Sequence, residues 1–173
     1  SSKIFGNQCI VVSIDISNID GNYFIYNNKK RKIIDLNLDD YIKKVCDEGA
    51  GEILINSVDL DGTYEGYDID LAKKICNLTD IPVIFAGGAK SAKDFEKLFN
   101  LTNVTAAAAG NFFHFTEHSV IKSKSYLNNK INLRINDRVN YLENNFDDKL
   151  RLIKKDDNTL DDMLFIKIDD EII

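Results

Sequence analysis

An aspartate, Asp15, directly follows the apolar run Cys9-Ile10-Val11-Val12-Ser13-Ile14. A carboxylate delivered to the end of a buried strand is partly stripped of water, a setting that suits a general acid or base. A second apolar run closes on Asn56-Ser57 and leads into Asp59 and the turn Asp61-Gly62-Thr63. Small polar groups beside glycine allow backbone N–H groups to wrap an anion. Two further apolar runs end in Gly87-Gly88 and Gly110-Asn111, each ahead of a helical pattern. Glycine lets a backbone approach a phosphate closely, and a helix amino terminus behind it attracts negative charge. Taken singly, each of these is an ordinary turn or cap. In succession on adjacent strands they point to a phosphorylated small molecule held beside a carboxylate. His114 and His118 have the spacing of a helical ligand pair but no carboxylate-rich cluster near them, so no metal and no cofactor is expected.

The elements that must position these residues alternate between short apolar runs and helical stripes. Strands are expected at Cys9–Ile14, Glu52–Val58, Pro82–Ala86 and Val104–Ala109. Helices are expected at Leu38–Glu48, capped by Asn37 or Asp39 and closed by Gly49, and then at Ile69–Cys76, Ala92–Asn100 and Ser119–Leu127. Tyr23–Tyr26 and Lys32–Ile34 flank Asn27-Asn28 and suggest a small excursion outside the core, with Lys29-Lys30-Arg31-Lys32 at its solvated tip. Four strand–loop–helix units in series predict a parallel α/β sheet with right-handed crossovers. An eightfold (β/α) barrel needs about 250 residues. These units therefore fit a TIM-barrel-type half-barrel, or an open doubly wound sheet.

With 173 residues, 44% hydrophobic, one Pro and no Trp, the composition is that of a globular protein. No apolar run approaches the ~20 residues of a membrane helix, and Ser1-Ser2-Lys3 does not open a secretory signal, so a cytoplasmic setting is expected. The net charge of −6 lies mostly in residues 136–173, where six Lys/Arg face eleven Asp/Glu. No basic stripe exists for nucleic acid or an anionic membrane, and neither is expected as a partner. Cys9, Cys46 and Cys76 are widely spaced, form no C-x-x-C pair, and read as small apolar core residues.

The stretch from Phe5-Gly6-Asn7-Gln8 to Asp15 and the run Gly49 to Asp68, with Asn56-Ser57-Val58-Asp59-Leu60-Asp61-Gly62-Thr63 at its centre, resemble the cyclase subunit of imidazole glycerol phosphate synthase. Ile81 to Ala89 and Phe113-His114-Phe115 continue the likeness, which covers residues 4–135 and corresponds to the carboxyl-terminal half of that family's barrel, strands five to eight. The resemblance implies a lyase-type cyclisation in histidine biosynthesis. A glutaminase subunit releases ammonia, and the barrel combines it with a phosphoribulosyl-formimino-aminoimidazole carboxamide ribonucleotide. Asp15 matches the family's catalytic aspartate on its fifth strand. Gln8 and Glu52 match positions at the glutaminase face and the ammonia entrance. Asn56, Ser57, Asp61, Gly62, Gly87, Gly88, Gly110 and Asn111 match the loops that hold the substrate's terminal phosphates.

The family's other catalytic aspartate lies on its first strand and has no counterpart here. The resemblance thus implies a site shared with an amino-terminal half-barrel or a second copy. Asn56, Leu60, Ala86 and Asn111 depart from the residues usual in the histidine enzyme and lean toward a paralogous group linked to surface-polysaccharide (lipopolysaccharide) synthesis, which works with an amidotransferase on a sugar. A noncatalytic phosphate-binding scaffold is the third reading. Residues 1–135 are expected to form the barrel-half domain and 136–173 an acidic extension. In that extension Val139, Leu142, Phe146, Leu150 and Ile153 suggest a helix capped by Asn136 or Asp137, and Leu164–Ile168 a strand.

Overall fold

The computed structural model describes residues 2–134, 141 and 144–161. Its centre is a six-stranded sheet in the order β3-β2-β1-β4-β5-β6. Strands β1 (Val11–Ile19), β4 (Glu52–Ser57), β5 (Val83–Ala86) and β6 (Ala106–Ala107) run parallel, while β2 (Asn22–Asn27) and β3 (Lys32–Ile34) are antiparallel additions beside β1. The parallel strands stand in chain order without reversal, and the sheet does not close. A doubly wound sheet would reverse its order and carry helices on both faces. The observed winding is that of a partial TIM barrel.

Burial shows which face the helices cover. Along β4, Ile53, Ile55 and Ser57 are buried while Glu52, Leu54 and Asn56 are only half-buried, and β5 repeats the pattern with Val83 and Phe85 inside. A period of two on these central strands means that one sheet face is dry and the other wet. After the short α1 (Ser2–Phe5) at the start of the chain, the dry face receives α2 (Leu38–Asp47) through Ile42, α3 (Ile69–Leu78) through Leu71 and Ile75, and α4 (Ala92–Leu101) through Phe95 and Leu98. Caps fix where these helices begin. Asn37 accepts the Asp40 N–H at 3.0 Å, Asp68 accepts the Leu71 N–H at 2.9 Å, and Asp94 Oδ2 accepts the Ser91 N–H at 2.7 Å. An aromatic cluster continues the core, with Tyr67 5.7 Å from Phe95 and Phe95 5.6 Å from Phe112.

Several expectations are corrected. The first strand begins two residues later than expected and runs to Ile19, because Asn7–Cys9 turn into a 3-10 helix and Ile10 N–H donates to the Asn7 carbonyl. Cys9 is therefore exposed, and only Cys46 and Cys76 are partly inside, where burial pushes the Cys76 thiol up. The Tyr23–Tyr26 and Lys32–Ile34 segments are not an excursion but sheet strands, with Ile25 in the core. The cationic tip lies where it was expected, on the turn between them, pinned by the Lys30 N–H to Asn27 Oδ1 at 2.9 Å. The fourth parallel strand shrinks to Ala106–Ala107, and the short α5 (Asn111–Phe115) precedes α6 (Ser119–Leu127).

In the extension, the described residues 144–156 are not helical. Phe146 pairs with Leu152 in an antiparallel bridge, and only Asp157–Asp161 forms a short helix, α7. Asp147 explains this. Its carboxylate accepts the N–H groups of Lys149 and Arg151 at 2.9 and 2.8 Å, and its own N–H donates to the Arg151 carbonyl, so the local side chain takes the donors that a helix would use. The segment lies against α6, with Phe146 edge-on to Tyr126 and Asn144 Nδ2 donating to Ser125 Oγ at 2.7 Å. The first part of the helix expected through Val139, Leu142, Phe146, Leu150 and Ile153, residues 136–143 apart from Tyr141, lies outside the described residues, as does the strand expected at Leu164–Ile168.

Candidate functional site

Parallel register sets Asp15, Asn56 and Ala86 side by side across β1, β4 and β5. Alternation places all three on the sheet face without helices. Asn56 Nδ2 donates to Asp15 Oδ1 at 3.2 Å, so one carboxylate oxygen is oriented along the sheet. Asp15 is not at a strand end. The ladder continues on both sides of it, with Ile14 opposite Ile55 and Ile16 opposite both Ser57 and Ile25. Beyond it, Asp59 accepts the Ser17 hydroxyl at 3.2 Å and the Asn18 N–H at 2.6 Å. This clamp ties the far end of β1 to the loop after β4. Sequence reading took Asp59 only as loop polarity, because its partners lie more than forty residues away.

The glycine loops converge as well. Asp61, Gly62, Gly87, Gly88, Gly110 and Asn111 line one cleft at the carboxyl ends of β4, β5 and β6, together with Tyr64 and Phe112. Gly88 shows why no side chain stands there. Its φ is +97°, and a Cβ would meet the Gly66 carbonyl oxygen at 2.1 Å, where Gly66 N–H already donates to the Gly88 carbonyl at 2.8 Å. The free volume of the cleft is about 10 Å³, room for about one water.

Ser57 is brought near this cleft but faces the other way. Its side chain is buried on the helix-covered side, and its carbonyl supports the loop by accepting the Asp61 N–H at 3.0 Å. Gln8, in the 3-10 turn, and Glu52, the first residue of β4, lie at the opposite end of the strands, Glu52 about 13 Å from Asn56 by strand rise. His114 is exposed on α5, edge-on to Phe115, and His118 is the residue before α6, with φ +52°. Among the described residues no three His, Cys, Asp or Glu side chains gather as metal ligands. Behind the cleft, Tyr67 donates its hydroxyl to the Ala108 carbonyl at 2.9 Å, and burial, then the Asp94 carboxylate, push its phenol up. Tyr64 and Tyr67 were not singled out from sequence, although they closely follow the Asp61-Gly62-Thr63 turn that was.

The sequence that builds this sheet and its glycine-lined edge is matched by a known family. The family model described as "Histidine biosynthesis protein" fits residues 1–119. The chain belongs to this family. Among histidine biosynthesis proteins, it is 38% identical over 148 residues to the "Putative imidazole glycerol phosphate synthase subunit hisF2" of Vibrio vulnificus, covering 85% of the chain and 54% of that protein. It is 41% identical over 129 residues to the imidazole glycerol phosphate synthase subunit HisF of Natranaerobius thermophilus, covering 75% and 51%. HisF of Hydrogenobaculum is 42% identical over 137 residues, covering 78% and 54%. The chain thus spans about half the length of the curated relatives it matches. No helix among the described residues of this family member is long and apolar enough to cross a membrane.

Proposed function

We propose that this chain is the carboxyl-terminal half of a HisF-type cyclase barrel, with residues 1–135 as the barrel half and 136–173 as an added segment. The observation that carries the reading is the pairing of Asp15 with Asn56 on the open sheet face, next to a glycine-lined cleft at the same end of the strands. In this reading the cleft takes a terminal phosphate of the ribonucleotide through backbone N–H groups of the Gly62, Gly87-Gly88 and Gly110 loops. Asp15 exchanges a proton with the reacting centre as ammonia adds and the imidazole ring closes, while Asn56 holds the carboxylate in one orientation. Gln8 and Glu52, at the far end, face a glutaminase subunit that supplies ammonia. The other half of the site, including a second carboxylate, comes from an amino-terminal half-barrel or from a second copy.

A second reading is the paralogue that works with an amidotransferase on a surface-polysaccharide sugar. It is favoured by Asn56, Leu60, Ala86 and Asn111, the positions where this chain departs from the histidine enzyme. Ammonia-dependent conversion of the ribonucleotide precursor separates the two. The chain is assayed alone and mixed with the amino-terminal half of a HisF barrel. Turnover only in the mixture supports a complementing cyclase half. A stable mixed complex that binds the precursor and never turns it over sinks the cyclase reading and leaves the paralogue or the scaffold.

A further inference from the structure

The extension builds a second cavity on the helical side of the molecule. A space of about 210 Å³ opens between the start of α4, the α5–α6 region and residues 146–150. Phe112, Phe146 and Leu150 supply apolar walls, and Lys90, Lys122 and Lys149 line the same space. No acidic residue lines it. None of the three lysines forms an ion pair among the described residues. Two carboxylates near them in sequence, Asp94 and Asp147, bond to other groups. Asp94 Oδ2 accepts the N–H groups of Lys90 and Ser91 at 3.0 and 2.7 Å, and Asp147 Oδ2 accepts Arg151 Nε at 2.7 Å.

In a chain of net charge −6, three lysines and no carboxylate lining one apolar hollow form a local field of opposite sign. Low-dielectric walls focus that field, and mutual repulsion of the cations is relieved by an anion. Lysine binds phosphate as a point charge, and the aromatic walls accept a carbon skeleton. We propose that this cavity is a binding site for a small organic phosphate whose carbon part is aromatic or compactly apolar. Phe146, Lys149 and Leu150 come from the added segment while Lys90, Phe112 and Lys122 belong to the barrel half, so the cavity exists only where that segment packs on the barrel. Phe112 lines both this cavity and the glycine cleft, so an occupant here presses on the wall of the other site.

The test is a titration of the isotopically labelled chain with phenyl phosphate, followed by amide NMR, with inorganic phosphate and phenol as separate arms. The expected result is saturable shifts at Lys122, Phe146, Lys149 and Leu150 with phenyl phosphate, and weaker binding there of each half-molecule. Lys122→Gln combined with Lys149→Gln weakens phenyl phosphate about ten-fold and leaves the melting temperature unchanged. Shifts confined to Gly62, Gly87, Gly88 and Gly110 place the ligand in the cleft alone and overturn the proposal. So does phenol binding as tightly as phenyl phosphate, or a double variant that binds like the parent. None of these three results touches the cyclase reading, which is assayed by turnover.

Discussion

Asp15 and Asn56 stand opposite each other on neighbouring parallel strands, with the amide of one donating to the carboxylate of the other at 3.2 Å. In a barrel reconstituted with an amino-terminal half, Asp15→Asn keeps the size and the sheet register but removes the proton acceptor. Turnover falls by about 10²–10⁴-fold while the precursor is still bound. Asn56→Ala keeps the carboxylate but frees its orientation, and the loss is smaller, about ten-fold. Initial rates at saturating ammonia, with precursor affinity measured separately, check both. Full activity in Asp15→Asn would falsify the proton-transfer role.

Gly88→Ala places a methyl group 2.1 Å from the Gly66 carbonyl oxygen in a backbone region that alanine avoids. The Gly66–Gly88 hydrogen bond is lost or the loop moves. We expect destabilisation of about 2–3 kcal/mol, read as a lower urea midpoint at unchanged slope. An unshifted midpoint refutes the close approach.

Glu96 accepts the Tyr126 hydroxyl at 2.8 Å and the Lys130 ammonium at 3.2 Å, and the Tyr126 bond is the main reason its carboxyl sits below the usual range. A folded-state value lower than the unfolded one stabilises the fold above the unfolded value, about 4.3, and the benefit disappears as pH falls through the folded value. The melting-temperature gap between the parent and Glu96→Gln is therefore present at pH 7 and closes in acid. A gap that persists at pH 2 argues against an ionic origin.

Burial first, and then the Asp68 carboxylate that accepts its hydroxyl at 3.1 Å, push the Tyr23 phenol up to about 12. The protonated phenol belongs to the fold, so its contribution is complete below the ordinary value of about 10 and is lost as pH rises through 12. In an alkaline titration followed by tyrosinate absorbance, Tyr23→Phe removes a late step and leaves the early ones. Loss of an early step instead contradicts the assignment.

The parallel units were legible because continuous apolar runs and helical stripes obey different periods, and α6 is found with the boundaries its pattern implies. The β1–β2 hairpin was also written in the sequence but passed over. Asp20 and Gly21 both take positive φ, +50° and +83°, and join Ile19 to Asn22 in a two-residue loop, the preferred setting for Asp-Gly. Attention to Asn27-Asn28 hid it. The five-residue α5 is too short to show a period. The extension misled for another reason. Phe146, Leu150 and Ile153 have helical spacing, but Asp147 turns the backbone on itself and Leu150 takes φ +58°. At the candidate site, residue types were readable while face was not. Asn56 and Ser57 look equivalent in sequence, yet alternation sends one to the open face and buries the other.

The hairpin has a kinetic consequence. Hydrogen bonds to β2 and β4 and the Asp59 clamp tie down β1, so the Asp15 carboxylate rides on a strand paired along both edges just beyond it. The glycine cleft, by contrast, is lined by turns, with Gly62, Gly87 and Gly88 all at positive φ. In the proposed cyclase, phosphate capture then belongs to the loops and proton exchange to the strand. Stiffening the Gly62–Gly66 loop is expected to slow entry and release while leaving the chemistry at Asp15 unchanged.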